Sequence, residues 1–218
     1  MAIPVYIAVE DDLSEAVLRR LLEHVRRTFT VRARYPLRSP GRRAAARATG
    51  VSGLSGYGYL KKNLRAFNHA AAKCPQVILT DLDVHAPCPG GVLPLWLSPK
   101  PHPNLVFRVA VPEVEAWLIA DAANFADYLG VSPSAIPANV ELLSDPKSSI
   151  VNLASGSRYA EIKADLVPVA RSTSTVGRYF SRSLLNFARN RWEIDEATKR
   201  SRSLAKAIQA LSNFKPVS

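Results

Sequence analysis

Carboxylates stand in this chain where apolar runs stop. VILTDLDVH (residues 77–85) brings four apolar or β-branched residues into Asp81, with one residue separating it from Asp83. PVYIAV (4–9) stops at Glu10, and LVFRVAV (105–111) leads through Pro112 to Glu113 and Glu115. In an extended chain, residues two apart share a face. Asp81 and Asp83 are therefore expected to point to the same side. Two like charges held that close need a cation or protons, and a hard divalent ion, Mg²⁺ or Mn²⁺, is the usual solution.

The elements that must position these acids follow from the pattern. Strands are predicted over 4–9, 29–35, 76–80 and 105–111. Helical spacing follows the first strand at Ala16, Val17, Leu21, Leu22 and Val25. Asp12 is the expected N-cap there, with Glu15 as its capping-box partner. A second helix is expected over 57–73, a third over EVEAWLIADAANFADYLG (113–130) with a break near Asp121, and a last one over 201–211. Strands alternating with helices imply an α/β fold: a mainly parallel, Rossmann-like sheet flanked by helices, with a helical C-terminal extension. The boundary is expected near residue 130, giving a core of 1–130 and a basic helical extension of 131–218. In such sheets ligands sit beyond the carboxyl ends of the strands, which is where Glu10, Asp81, Asp83, Glu113 and Glu115 fall.

Charge is unevenly distributed. The 218 residues carry a formal net charge of +11. Residues 16–73 hold fourteen Lys/Arg against the single acid Glu23, whereas 74–146 hold two bases against eight acids. From 171 onward ten bases face three acids. An acidic centre between basic flanks suits a metal-dependent enzyme acting on a polyanion, with carboxylates for the cation and Lys/Arg for phosphates. Arg42, Arg43, Arg47, Lys61 and Lys62 surround the glycine-punctuated segment 50–58, which lacks the G-x-x-x-x-G-K-[ST] pattern of a phosphate loop. That segment is expected to be a loop contacting nucleic acid.

No apolar run reaches membrane-spanning length, and Cys74 and Cys88 form no disulfide framework or zinc motif. The expected compartment is the cytoplasm, with no membrane partner. Lys147, in SDPKSS, is placed to neutralise charge developing on a phosphate. His85 lies two residues beyond Asp83, where it could act as acid, base or substrate contact. Trp96, Trp117 and Trp192 are expected in the core or an interface.

A glutamate ending the first strand, an acidic turn, a helix, and D-x-D after a later strand together resemble the TOPRIM domain of topoisomerases, primases and overcoming-lysogenization-defect nucleases. RVAVPEVEAWLIAD and DPKSSIVNLA are also similar to segments of small stand-alone bacterial TOPRIM-like proteins of unknown function. The resemblance matches Glu10 to the first-strand glutamate, Asp81 and Asp83 to the D-x-D, and Glu113 and Glu115 to the later pair. It departs at Asp11, where TOPRIM glutamates are usually followed by glycine. What it implies is Mg²⁺- or Mn²⁺-dependent phosphodiester chemistry on DNA or RNA, with Glu10, Asp81, Asp83, Glu115 and Lys147 in the catalytic roles. A non-catalytic subunit that binds nucleic acid or a partner is the alternative. By analogy with nucleases that join an ATPase to TOPRIM, a separate ATPase partner and a role in defence against phage or plasmids would follow.

Overall fold

The structure is a computed structural model that describes residues 2–36, 56–83, 88–98 and 100–217. The chain divides into two compact units, residues 1–110 with 206–218, and residues 111–205. The division falls after Ala110, and the C-terminal segment belongs with the first unit.

The first unit is a four-stranded sheet of β1 (Ile3–Val9), β2 (Phe29–Tyr35), β3 (Gln76–Asp81) and β4 (Leu105–Ala110). All pairs are parallel, and the order is β2-β1-β3-β4. Val5, Ile7, Val9, Val77, Ile78 and Leu79 are completely buried, the near-continuous burial expected of parallel strands covered on both faces. Between them run α1 (Asp12–His24), α2 (Gly56–Ala70) and α3 (Pro89–Trp96). α2 buries Leu60, Leu64 and Phe67, at the four-and-three spacing of one helical face.

Asn104, itself buried, ties the C-terminal segment to this unit. Its side-chain amide donates to the Val217 carbonyl and its side-chain oxygen accepts from the Val217 N–H, both at 2.8 Å. Arg27 Nε donates to the Ser212 carbonyl at 2.7 Å, and Phe29 stacks on Phe214 at 6.4 Å.

The second unit is helical: α4 (Val114–Ala120), α5 (Ala122–Leu129), α6 (Pro146–Ser155), α7 (Ala160–Leu166), α8 (Phe180–Asn190), α9 (Ile194–Thr198) and the start of α10 (Arg202–Asn213). The expected break near Asp121 separates α4 from α5. The Asp121 carboxylate, fully buried, accepts from Glu193 N–H at 2.8 Å and from the Asn124 amide at 3.0 Å. Its carboxyl is held above the ordinary range, chiefly by burial, against the lowering effect of those hydrogen bonds. Trp117 and Trp192 are core residues with no exposure. The Trp117 indole N–H donates to Ser203 Oγ at 2.7 Å, and that of Trp192 to the Trp117 carbonyl at 3.2 Å. α5 ends at Gly130, whose φ of 67° is left-handed, the conformation glycine adopts without steric cost.

Candidate active site

Glu10 follows the last residue of β1. Register pairs Val9 with Leu79, so the next residues, Glu10 and Thr80, stand side by side. The half-buried Glu10 side chain crosses to β3: its Oε1 accepts from Thr80 Oγ1 at 2.5 Å and from the Asp81 N–H at 2.9 Å. Among the described residues both hydrogen bonds fall on Oε1, which leaves the lone pairs of Oε2 for a ligand. The Glu10 carbonyl accepts from Gly56 N–H at 3.3 Å. Gly56 opens α2 with a φ of 65°, a conformation that explains a glycine there. The sheet order makes β1 and β3 the strands flanking the topological switch point. The crevice outside their carboxyl ends is the place where open parallel sheets bind ligands.

The D-x-D segment is not extended throughout. β3 ends at Asp81, Leu82 is buried with its N–H on the Ala110 carbonyl at 2.9 Å, and Asp83 has a φ of 41°. The strand geometry from which a shared face was expected thus ends at Asp81, and Asp83 adopts a left-handed backbone. Asp83 is exposed and Asp81 half-buried. His85 lies outside the described residues, as do Arg42, Arg43 and Arg47; Lys61 and Lys62 are exposed on α2.

The acids of the β1–α1 turn have other tasks. Asp11, not Asp12, caps α1: its Oδ1 accepts from the Ser14 N–H and hydroxyl, each at 2.8 Å. Asp12 and Glu15 instead meet Arg34 of β2 at 3.4 and 3.3 Å, and Glu15 also takes Arg19 at 2.8 Å. Asp11 is thus accounted for by a hydrogen-bonded cap. Thr80 and Arg34 were not singled out by sequence reasoning. The one available signal for Thr80 was a hydroxyl directly before Asp81 at a strand end.

In the second unit, Glu113 precedes α4 in an extended conformation, and Glu115, 3% exposed, lies in its first turn. Lys147, in the first turn of α6, bonds Glu113 Oε2 directly and reaches Glu115 Oε1 at 3.4 Å. Asp145 sets that turn. Its carboxylate accepts from the Ser148 N–H at 2.9 Å and hydroxyl at 2.5 Å, and these bonds hold its carboxyl below the ordinary range. Pro-Lys-Ser is thus a capped helix start that delivers an ammonium to two glutamates.

The structure therefore brings the Glu10 carboxylate onto Thr80 and Asp81, and Glu113, Glu115 and Lys147 onto one another. Among the described residues, no group of three or more His, Cys, Asp and Glu side chains is arranged to hold a metal ion.

The chain matches no family model, no curated protein and no solved structure. The chemistry must be argued from these residues.

Carboxylate oxygens, the donors among the described residues at this edge, suit a hard cation rather than zinc or copper. Mg²⁺ in particular is commonly bound by one or two carboxylates, with water and substrate phosphate completing its shell. Among the described residues Glu10 offers one such carboxylate at the strand end.

Proposed function

We propose that this chain is a divalent-metal-dependent nuclease whose centre lies at the carboxyl ends of β1 and β3, with Glu10 and Asp81 as the principal ligands for Mg²⁺ or Mn²⁺ and Asp83 beside them. The observation that carries this reading is the clamp on Glu10. Thr80 and the Asp81 N–H fix one oxygen of the carboxylate at the switch point. A bound divalent ion would supply Lewis-acid stabilisation and a more acidic water for phosphodiester hydrolysis. Thr80 orients Glu10, and the exposed Lys61 and Lys62 suit contacts to phosphates. Lys147 serves first as counter-ion to Glu113 and Glu115, so a direct role for it at phosphate requires exchange of those partners.

The cytoplasm suits this reading: both cysteines are free, and no described helix is long and apolar enough to cross a membrane. The resemblance to TOPRIM nucleases extends the proposal to action beside a separate ATPase subunit in anti-phage or anti-plasmid defence. A second reading, a non-catalytic TOPRIM-like subunit that binds nucleic acid or a partner, is favoured by the absence of a three-ligand group among the described residues.

The test is cleavage of single- and double-stranded DNA and RNA in Mg²⁺ and Mn²⁺, with Glu10→Gln and Asp81→Asn as comparisons. Metal-dependent cleavage by the wild type that both substitutions abolish is expected. An inactive wild type that still binds nucleic acid would move the conclusion to the second reading. Variants as active as wild type would remove the site from this edge.

A further inference from the structure

Burial without pairing sets Arg108 apart in the first unit. Its Cα partner across the β3–β4 ladder is Leu79, two residues short of Asp81. β4 is an edge strand of the sheet. Phe107 packs edge-on against Trp96 of α3, with ring centres 5.9 Å apart, so Arg108, the next residue, projects from the opposite face. Arg108 is half-buried, and its Nε is buried with no acceptor among the described residues. Every other half-buried Lys or Arg among them has an interaction partner. Arg27 and Arg200 donate to carbonyls, Arg34 meets Asp12 and Glu15, and Lys147 meets Glu113 and Glu115.

Burial draws the Arg108 guanidinium below the ordinary arginine range, with no carboxylate opposing the shift. Arginine nevertheless stays charged in a protein. The fold therefore desolvates part of this cation without recovering the loss through a partner. Nε alone of its three nitrogens is both buried and unbonded, which leaves the outer end of the guanidinium accessible. A planar fork with one desolvated donor and an open end matches two oxygens of a single anionic group, as in bidentate arginine–phosphate pairs. The adjoining strand ends at Asp81, beside the Glu10 carboxylate.

We propose that Arg108 binds a phosphate group of the nucleic-acid substrate, with Nε and an outer nitrogen donating to two of its oxygens. The choice of phosphate rests on the nuclease reading above; the anion site rests on the burial and pairing of Arg108 itself. Its part is to hold the substrate, separate from the ion-binding part of Glu10.

The test uses the full chain in EDTA, with pyrophosphate, citrate and a single-stranded oligonucleotide as probes at matched ionic strength. Isothermal titration and thermal shift are the readouts. Wild type should bind pyrophosphate more tightly than citrate, and should bind the oligonucleotide. Arg108→Met keeps the aliphatic stem and should weaken binding of pyrophosphate and oligonucleotide at least about tenfold, the loss of a hydrogen-bonded charge contact. Arg108→Lys keeps the charge but not the fork, and should remain weakened. Without ligand, Arg108→Met should melt at or above the wild-type temperature, because the half-buried unpaired cation is gone.

Equal binding by wild type and Arg108→Met would overturn the proposal. So would a preference for citrate, or a ligand-free Arg108→Met that melts well below wild type, the mark of a structural role. Pyrophosphate bound through Arg108 by a protein that takes no oligonucleotide would overturn the nucleic-acid assignment in favour of a free phosphate compound. Cleavage is scored separately in Mn²⁺. A protein that binds the oligonucleotide through Arg108 but never cuts would refute the nuclease reading and leave this site standing. An Arg108→Met variant that cuts with wild-type KM would do the reverse.

Discussion

Thr80→Val isolates the clamp on Glu10. Thr80 is 1% exposed, and its hydroxyl donates to Glu10 Oε1 at 2.5 Å. Valine keeps the β-branched shape that suits a strand and replaces only the hydroxyl by a methyl. A hydrogen bond to a charged acceptor contributes about 1.5–3 kcal/mol to stability. Glu10 retains the Asp81 N–H and is only half-buried, so water replaces part of the loss. The expected cost is then about 1 kcal/mol, or roughly 2–4 °C in melting temperature.

The effect on ion binding should be proportionately larger, because a carboxylate free to rotate no longer presents its second oxygen. Losing a partner that orients a ligand commonly lowers metal affinity 10- to 100-fold. A tenfold rise in Kd for Mn²⁺ corresponds to about 1.4 kcal/mol. Isothermal titration with Mn²⁺ and urea denaturation, run on wild type, Thr80→Val and Thr80→Ser, separate the two effects. Thr80→Ser restores the hydroxyl and should restore affinity. If Thr80→Val loses stability yet binds Mn²⁺ as wild type does, the hydroxyl is purely structural and the reasoning fails.

Three further outcomes are expected. At Gly130 an added Cβ would stand 2.4 Å from the Tyr159 ring on a backbone with a φ of 67°. Gly130→Ala should therefore cost more than the roughly 1–2 kcal/mol of left-handed strain alone, read by urea denaturation; a loss under 1 kcal/mol would show that the helix end adapts. Burial raises the Asp121 carboxyl in the folded protein, so its contribution to stability is complete below the unfolded pKa of about 3.9 and is lost as pH rises through the folded value. Asp121→Asn should accordingly be at least as stable as wild type at neutral pH, with the difference shrinking as pH falls through the raised folded value and constant below about 4; a difference independent of pH would contradict this. Lys147→Met keeps the aliphatic stem but strips Glu113 and the buried Glu115 of their shared counter-ion. With the Lys147 side chain 42% exposed, the cost should be about 1–3 kcal/mol, part of it recovered by adding Glu115→Gln. Stability unchanged in Lys147→Met would mean that solvent already neutralises the pair.

Local signals survived the passage from sequence to structure, and long-range ones did not. The β-branched run 29–35 became β2 with the expected limits, and the break at Asp121 was visible because an acid interrupts an apolar helical run. α3 was not read from sequence: it contains Gly90, Gly91 and Pro94, residues that signal turns unless tertiary contacts override them. Asp11 and Asp12 were equally good caps by type, and only the rotation of the first turn decided between them. The left-handed Asp83 was hidden because Asp tolerates that conformation without requiring it. Arg34 looked like an outward residue of an alternating strand, whereas it meets two carboxylates of α1. Nothing local marks Asn104 as the anchor for a segment 113 residues away.

Pairing refines what charge density alone suggested about the acidic centre. The sequence offers acids at three strand ends as equivalent candidates, yet their partners differ in kind. Asp12 and Glu15 face the Arg34 guanidinium, and Glu113 and Glu115 share the Lys147 ammonium. Those carboxylates already have a cation from the chain itself, so an incoming metal ion would have to displace it. Glu10, by contrast, is held among the described residues by a hydroxyl and a backbone N–H. Neutral donors orient a carboxylate without cancelling its charge. At the switch point of the sheet, a strand-end glutamate that keeps its full charge and a fixed rotamer is suited to an external cation. That difference in partners, more than the number of acids nearby, is the reason to place the proposed centre on Glu10 rather than on the glutamates of α4.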